Sequence, residues 1–310
     1  LVDLASGRRT QRLPLPETWL GVTFFDGGHQ LAVSAGHTNR VLIYRVQDGQ
    51  AVFRDSIVVG PRWSAGGQYP QGKSIDYGAG AIWTTGLAAD DKHSRLYVVS
   101  RLDSALNVLD VPGRRLERRV PLPAVPYTCL VSHDGTQVYV SLWSSASVAV
   151  VDAATLEISS VVRVGDHPTD LAATPDGLRL FVANANENSV SVVDLHAGRV
   201  TEKLRTSRTS GEPAGDTPNG LALDQDAQRL YVSNASANHV AVFDVARPGQ
   251  TRALGFLPVG WYPTGVRVLP HSGTVVVANG KGAGSAPSNG GEPDTSRWCR
   301  YVSYSPGARG

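Results

Sequence analysis

The chain has no methionine, only two cysteines and no long apolar run among its 310 residues. Cys129 and Cys299 are too few for a disulfide framework or a cysteine-rich metal site. Cys129 lies in an apolar run, where a lone cysteine usually behaves as a small buried hydrophobe. Because no stretch approaches the roughly 18 apolar residues that a membrane span needs, we expect no membrane-spanning helix.

A strong excess of charge of either sign is also absent. The net charge is +2, which is too small to indicate nucleic acid or an anionic surface as a partner. Hydrophobic residues make up 41% of the chain and charged residues 18%, which is typical of a globular protein. No segment shows the 3.6-residue periodicity with caps that helices need, so a helical solenoid is excluded.

What the chain does contain is an internal repeat of about 42 residues. Three copies begin at Pro126, Pro168 and Pro218. Each copy shows an apolar strand, a turn, an apolar strand, a polar loop, an alternating strand that ends in Asp, a turn and a final strand. The repeated Asp falls at Asp110, Asp152, Asp194 and Asp244, and the two earlier registers carry Asp3 and Arg45.

Four short strands recur in each repeat. The runs 180–184 (LFVAN) and 189–194 (SVSVVD) carry the β-branched and aromatic residues that strands favour, and Pro175-Asp176-Gly177 supplies a turn. Four strands per unit of 40 to 50 residues are typical of a β-propeller blade. The sequence therefore predicts an all-β fold, a β-propeller of four-stranded blades, as one domain over residues 1–310.

The register of the repeat predicts blades that are broken at both ends. Full blades are predicted at 17–60, 61–124, 125–165, 166–208 and 209–260, with partial blades at 1–16 and 261–310. The first partial blade would hold only a third and a fourth strand, and the last only a first and a second. Because unpaired strand edges invite aggregation, we expect an incomplete sequence. The alternative is that the two half-blades pair and close a six-bladed ring.

The repeated elements P-x-x-L-A-x-x-x-D-G, L-[YF]-V-[AS]-N and V-[SA]-V-[VF]-D resemble those of the YVTN-type, or YncE-like, propeller repeats. Segments 180–184, 230–234 and 275–279 are close matches, and the resemblance spans nearly the whole chain. It implies a propeller that has seven blades when intact.

Three segments resemble a narrower group of bacterial proteins: 19–28 (WLGVTFFDGG), 260–266 (GWYPTGV) and 279–293 (NGKGAGSAPSNGGEP). In that group a YVTN-type propeller precedes an alkaline-phosphatase-like phosphoesterase domain. The resemblance implies a periplasmic or extracellular protein whose catalytic domain lies beyond residue 310. Such phosphoesterases need a nucleophilic Ser or Thr among Asp and His ligands to two metal ions. The eight histidines fall in the turns and loops of the repeat, so we expect no catalytic residue and no cofactor in this segment.

Three insertions interrupt the repeat, at 60–82, 206–217 and 279–300. The first two extend the loop from a fourth strand to the next first strand, and the third extends a loop from second to third strand. Both kinds of loop are expected on one face, where clustered insertions are typical of a binding surface. Free loop variation is the alternative.

Candidate binding residues lie in these loops. Mixed aromatic and basic side chains, which are typical interface anchors, occupy the first insertion at Arg62, Trp63, Tyr69, Lys73 and Tyr77. Further candidates are His37, Arg101 and Trp143 in two-to-three loops and Trp261, Tyr262, Asn279 and Lys281 in the narrower motifs. Each one alone is also compatible with an ordinary exposed loop residue.

A metal-dependent channel enzyme such as a lactonase would need several oxygen ligands on the first strands. Two positions after the predicted blade opening stand Gly21, Thr128, Asp170, Gly220 and Gly265. One carboxylate cannot hold a divalent ion that takes six or more oxygens, so a lactonase and a metal site are disfavoured. Trp19 and Trp83 align with the opening prolines and are expected to pack between blades, with ligand stacking as the alternative.

Three functions follow in order of preference. The first is a non-catalytic scaffold or interaction module, accessory to a phosphoesterase domain. The second is a free-standing binding propeller of the cell envelope with a protein or glycan ligand, and the third is a lactonase-type channel enzyme.

Overall fold

The computed structural model describes residues 1–4, 6–15, 18, 20–60, 82–209, 211, 213–282 and the strand Ser303–Tyr304. In this part of the chain, six antiparallel sheets follow one another in sequence order. Five sheets have four strands and the last has three. The described residues contain no α-helix, only the 3-10 turns Asp26–Gly28 and Trp143–Ser145. The fold is thus an all-β propeller of four-stranded blades, and the predicted fold class is confirmed.

The first three blades contain β1 to β12. The strands are β1 Val22–Phe25, β2 Gln30–Ser34, β3 Arg40–Gln47, β4 Gln50–Val58, β5 Thr84–Asp90, β6 Arg95–Ser100, β7 Ala105–Asp110, β8 Arg115–Pro121, β9 Pro126–Val131, β10 Gln137–Leu142, β11 Ser147–Asp152 and β12 Ile158–Arg163.

The remaining blades contain β13 to β23. The strands are β13 Pro168–Ala173, β14 Arg179–Asn184, β15 Ser189–Asp194, β16 Arg199–Arg205, β17 Pro218–Leu223, β18 Arg229–Asn234, β19 His239–Asp244, β20 Arg252–Pro258, β21 Pro263–Val268, β22 Val275–Asn279 and β23 Ser303–Tyr304.

The chain divides into two compact units. The first holds residues 1–131, 135–140 and 149–159, and the second holds 132–134, 141–148 and 160–310. The predicted single domain over residues 1–310 stays a prediction. No helical turn in the described segments has the length or the apolar character of a membrane-crossing helix.

The middle strands of the second to fifth full blades are buried along nearly their whole length, which explains their nearly continuous apolar sequence. β14, for example, is buried at all six positions. Phe181, Val192 and Phe243 belong to one apolar cluster of the second unit. The fourth strands instead lie at an edge, and β16 alternates exposed and partly buried residues along most of its length. Full burial of one such apolar side chain contributes about 1.5–3 kcal/mol, so the blades are held together mainly by these strands.

The Asp that marks the repeat caps the turn between the third and fourth strands. Asp152 Oδ1 accepts hydrogen bonds from the backbone N–H groups of Ala154 and Thr155 at 2.9 and 2.7 Å. Asp194 Oδ1 does the same for His196 and Ala197 at 3.0 and 2.8 Å. An Asp side chain mimics a backbone turn in this way, so the repeat recurs for a structural reason.

Both predicted partial blades differ from the structure. In place of two strands over 1–16, the described residues form one isolated bridge between Val2 and Arg9. Pro14 has no backbone N–H to give to a ladder, and Leu13 and Leu15 pack against the first blade instead. The last blade has a third strand, β23, which pairs with β22.

The residue that opens the second full blade also differs from the prediction, by one position. Thr84 pairs with Ser100 just as Pro168 pairs with Asn184, so the opening residue is Thr84 and not Trp83. Trp83 takes the position before the opening, with a positive φ of 50°. His167, Thr217 and Tyr262 hold the same position in later blades, and each has a positive φ.

Candidate functional site

Within a blade, the two-to-three loop pairs with the segment that precedes the first strand. Gly280 N–H donates to Tyr262 O at 2.8 Å, and Ala235 N–H donates to Thr217 O at 3.0 Å. The backbone of Arg101 makes the equivalent bond to Trp83 O at 3.1 Å. The two kinds of loop therefore lie at one end of each of these blades, which we call the loop end.

Three asparagines connect loop ends of consecutive blades within a unit. Asn39 Oδ1 accepts from Trp83 N–H at 3.1 Å, and Asn238 Oδ1 accepts from Tyr262 N–H at 2.9 Å. Asn188 Oδ1 accepts from the N–H groups of Gly215 and Asp216 at 2.9 and 2.8 Å.

Each of these asparagines has a positive φ, which Asn tolerates better than most residues. Sequence reasoning missed them. Their signal is an Asn that stands one residue before the third strand in three of the blades.

Four predicted residues meet at the loop end of the β21–β23 blade. Lys281 Nζ lies 5.1 Å from the ring centroid of Trp261 and 4.5 Å from that of Tyr262. The backbone fixes this cluster, because Lys281 N–H donates to Trp261 O at 3.1 Å and Trp261 N–H donates to Gly282 O at 2.9 Å. Asn279, the fourth residue, is buried at the end of β22. We call Trp261, Tyr262 and Lys281 the cation–aromatic cluster.

A second aromatic contact lies in the same unit, where Trp143 meets His167 edge to face at 4.2 Å between ring centroids. His167 Nδ1 is 2.8 Å from Asp166 Oδ1 and 2.9 Å from Asn186 Nδ2. A protonated Nδ1 donates to the carboxylate, whereas a bare Nδ1 accepts from the amide. The hydrogen bond from His167 lowers the pKa of Asp166. Only Trp143 of this group was predicted, because the other three residues follow no motif.

The remaining predicted residues belong to the first unit. His37 lies near Trp83, with ring centroids 6.0 Å apart at 53°, and Arg101 adjoins Trp83 through the backbone bond. The predicted residues of the first insertion, Arg62, Trp63, Tyr69, Lys73 and Tyr77, lie outside the described residues.

A metal site in the channel was tested on the residues two positions after each blade opening, which we call the first-strand column. In the structure, this column faces the neighbouring blade. A Cβ on Gly86, the member of this column in the second full blade, would overlap the Cα of Thr128. A Cβ on Gly220 would lie 3.0 Å from the Cα of Gly265. Asp170 Oδ2 accepts from the backbone N–H of Leu221 at 2.8 Å. The position of a residue in the repeat does not distinguish a side chain that faces the channel from one that packs on the next blade.

Asp170 is a structural carboxylate. Desolvation raises its pKa, while Arg267 and the N–H groups of Leu221 and Leu171 act in the opposite direction. In the described segments, no three His, Cys, Asp or Glu residues are placed to hold a metal ion.

Comparison with known proteins identifies one family and several solved structures of similar fold. The model of the SMP-30/gluconolactonase/LRE-like region matches residues 70–257, which is more than half of the chain. No curated protein matches.

Among solved structures, a Lactobacillus plantarum protein is 19% identical with a TM-score of 0.71, and the match covers 90% of this chain and 83% of that one. A Bacteroides uniformis protein with a provisional 6-phosphogluconolactonase assignment is 14% identical, with a TM-score of 0.70 and coverage of 88% and 80%. Kuenenia stuttgartiensis hydrazine synthase is 15% identical, with a TM-score of 0.55 and coverage of 87% and 95%. At these identities the likeness concerns the fold alone.

Proposed function

This chain belongs to the SMP-30/gluconolactonase/LRE-like family, and we propose that it is a non-catalytic member that binds a partner through loop ends of its second unit. The observation that carries the proposal is the cation–aromatic cluster. Lys281 is exposed, Trp261 and Tyr262 are partly exposed, and backbone hydrogen bonds hold all three in place. Rigid aromatic side chains beside a cation are typical anchors of protein interfaces.

The first strands support a structural rather than a catalytic use of this unit. Asp170 is the carboxylate of the first-strand column, and it is committed to Leu221 N–H between two blades. Gly220 occupies the same column where two first strands come close together. Side chains that pack between blades in this way are not available to a substrate.

We propose an alkaline-phosphatase-like phosphoesterase domain as the partner, with the propeller as its scaffold. The support is that two of the three motifs that resemble such proteins, 260–266 and 279–293, supply Trp261, Tyr262 and Lys281. This proposal includes a periplasmic or extracellular location. The alternative is a free-standing propeller that binds a protein or a glycan with the same cluster.

A binding experiment tests the proposal. The chain is titrated with an alkaline-phosphatase-like domain of the source organism by calorimetry, as wild type and as Trp261→Ala and Lys281→Ala. We expect binding by the wild type, weakened at least about tenfold in each variant, because truncated anchors leave their contacts unmade. Arg118→Ala, on the exposed strand β8, is the matched control and should bind like the wild type. Equal affinity of all four proteins would refute the role of the cluster.

The family name favours a second candidate, a sugar-lactone hydrolase. The test is hydrolysis of glucono-δ-lactone by the chain alone, with and without added Ca²⁺ or Zn²⁺. The non-catalytic proposal expects the rate of the uncatalysed reaction in both cases. Metal-dependent turnover would establish the lactonase instead.

A further inference from the structure

A cavity of about 420 Å³ lies between the first two blades of the first unit. It is lined by the β1–β2 turn, by β3 and β4, and by the β5–β6 and β7–β8 turns. In an antiparallel four-stranded blade these turns lie at the end opposite the two-to-three loop. The cavity is therefore separate from the loop ends of these blades, and its volume is in the usual range for small-molecule sites.

The floor of the cavity is apolar. Phe25, Ile43 and Ile57 line it and are almost completely buried in the core shared by the two blades. An apolar floor below a polar rim favours a ligand with an apolar group at one end.

Several charged groups of the lining are already committed to the protein. Asp55 Oδ2 pairs with Arg114 at 2.5 Å. Asp91 Oδ1 accepts from the backbone N–H of Asp26 at 2.8 Å. Asp90 Oδ2 lies 2.7 Å from His93 Nδ1.

One more charged residue of the lining, Arg95, is engaged elsewhere. Arg95 pairs with Glu117 through Nε at 2.8 Å, and it also donates to Ala153 O at 2.9 Å. These contacts fix the walls rather than offer groups to a ligand.

Two opposite charges on the rim are less committed. Arg54 makes no ion pair within the described segments, and its contact is a 3.5 Å bond to Gln30 Oε1. The Asp26 carboxylate accepts from Gln30 Nε2 at 3.0 Å and is otherwise exposed. The carboxamide of Gln30 thus lies between the guanidinium of Arg54 and the carboxylate of Asp26 and is hydrogen-bonded to both.

We propose that this cavity binds a small zwitterion with an apolar side chain, of the α-amino-acid class. Arg54 would bind the ligand carboxylate, since a guanidinium presents paired donors that match two carboxylate oxygens. Asp26 would accept from the ligand ammonium. The apolar side chain would rest on Phe25, Ile43 and Ile57. Ligand binding would replace the bridge that Gln30 now makes, and the proposal does not depend on the proposed function.

Three matched probes test the charge pattern by calorimetry on the full chain. They are L-phenylalanine, 2-phenylethylamine, which lacks the carboxylate, and 3-phenylpropanoate, which lacks the ammonium. We expect L-phenylalanine to bind at least about tenfold more tightly than either analogue. Equal affinity of the three probes, or no binding up to about 10 mM, would overturn the proposal.

Two variants test which residue binds the carboxylate of the ligand and which binds its ammonium group. Arg54→Gln should weaken L-phenylalanine at least about tenfold and leave 2-phenylethylamine unchanged. Asp26→Asn keeps a residue that tolerates the positive φ of 55° at this turn and should weaken L-phenylalanine while sparing 3-phenylpropanoate. Arg118→Gln is the matched control, and equal melting temperatures confirm that the variants fold. If Arg54→Gln binds L-phenylalanine as tightly as the wild type does, Arg54 is not the group that binds the ligand carboxylate, and the proposed site is wrong.

Discussion

The carboxylate of Asp170 accepts a hydrogen bond from the backbone N–H of Leu221 over 2.8 Å, and so joins the first strands of two neighbouring blades. Arg267 donates to Leu221 O at 3.4 Å, so a positive charge lies nearby. Desolvation is the largest influence on this carboxyl and raises its pKa. The charged form of Asp170 is therefore disfavoured in the folded state relative to the unfolded chain.

The first prediction concerns pH. A carboxyl whose pKa is raised by folding contributes stability that is complete below its unfolded pKa of about 3.9 and is lost as pH rises through the folded pKa. Asp170→Asn keeps an oxygen acceptor for Leu221 and carries no charge. We expect wild type to lose stability relative to Asp170→Asn as pH rises from about 4 to 8, measured by urea denaturation. A constant difference would show that Arg267 and the backbone N–H groups offset desolvation, and a gain by the wild type would show that they outweigh it.

Asp170→Ala separates the hydrogen bond from the charge. It leaves the Leu221 N–H without its acceptor, which should lower the free energy of unfolding by about 1–3 kcal/mol relative to Asp170→Asn. The comparison is made at one pH near neutrality, where neither variant carries a charge at this position. Equal stability of the two variants would mean that water replaces the carboxylate as acceptor.

The second prediction concerns the close approach of first strands. A Cβ on Gly86 would overlap backbone and side-chain atoms of Thr128, which cannot move without a backbone shift. Overpacking of this kind typically costs about 1–3 kcal/mol, so Gly86→Ala should lower the denaturation midpoint. Gly265→Ala is the matched control, since it stands in the same column with no described atom within 4 Å of its Cβ position. Equal midpoints for the two variants would contradict the close approach.

The fold could be predicted from the sequence because its repeat is local. The Asp at 110, 152, 194 and 244 recurs since a capped turn of a few residues needs it in each blade. The alternating strands recur because the blades bury the same faces. Local signals of this kind can be recognised in the sequence of a single blade, without knowledge of how neighbouring blades pack.

The sites could be predicted only in part, because they depend on contacts between distant residues. Asp26 and Asp91 meet across two blades, and no motif relates them. The opening at Thr84 was misplaced by one residue since a Trp stands where later blades have His, Thr or Tyr. In contrast, Trp261 and Lys281 were found together because each lies in a distinctive motif.

The third prediction concerns the asparagines that connect loop ends. Asn238→Gly keeps the positive φ at no steric cost but removes the acceptor of Tyr262 N–H, so any loss reports the side chain and not the backbone. We expect a loss of about 1–3 kcal/mol in the free energy of unfolding. Ala146 holds the equivalent position in another blade, with a φ of 48° and no side-chain acceptor. Ala146→Gly should therefore stabilise, by about 0.5–1 kcal/mol, since it relieves left-handed backbone without losing a bond. Opposite signs of the two changes in urea denaturation would establish that Asn is present for its carboxamide, whereas equal signs would mean that it is present only for its backbone tolerance.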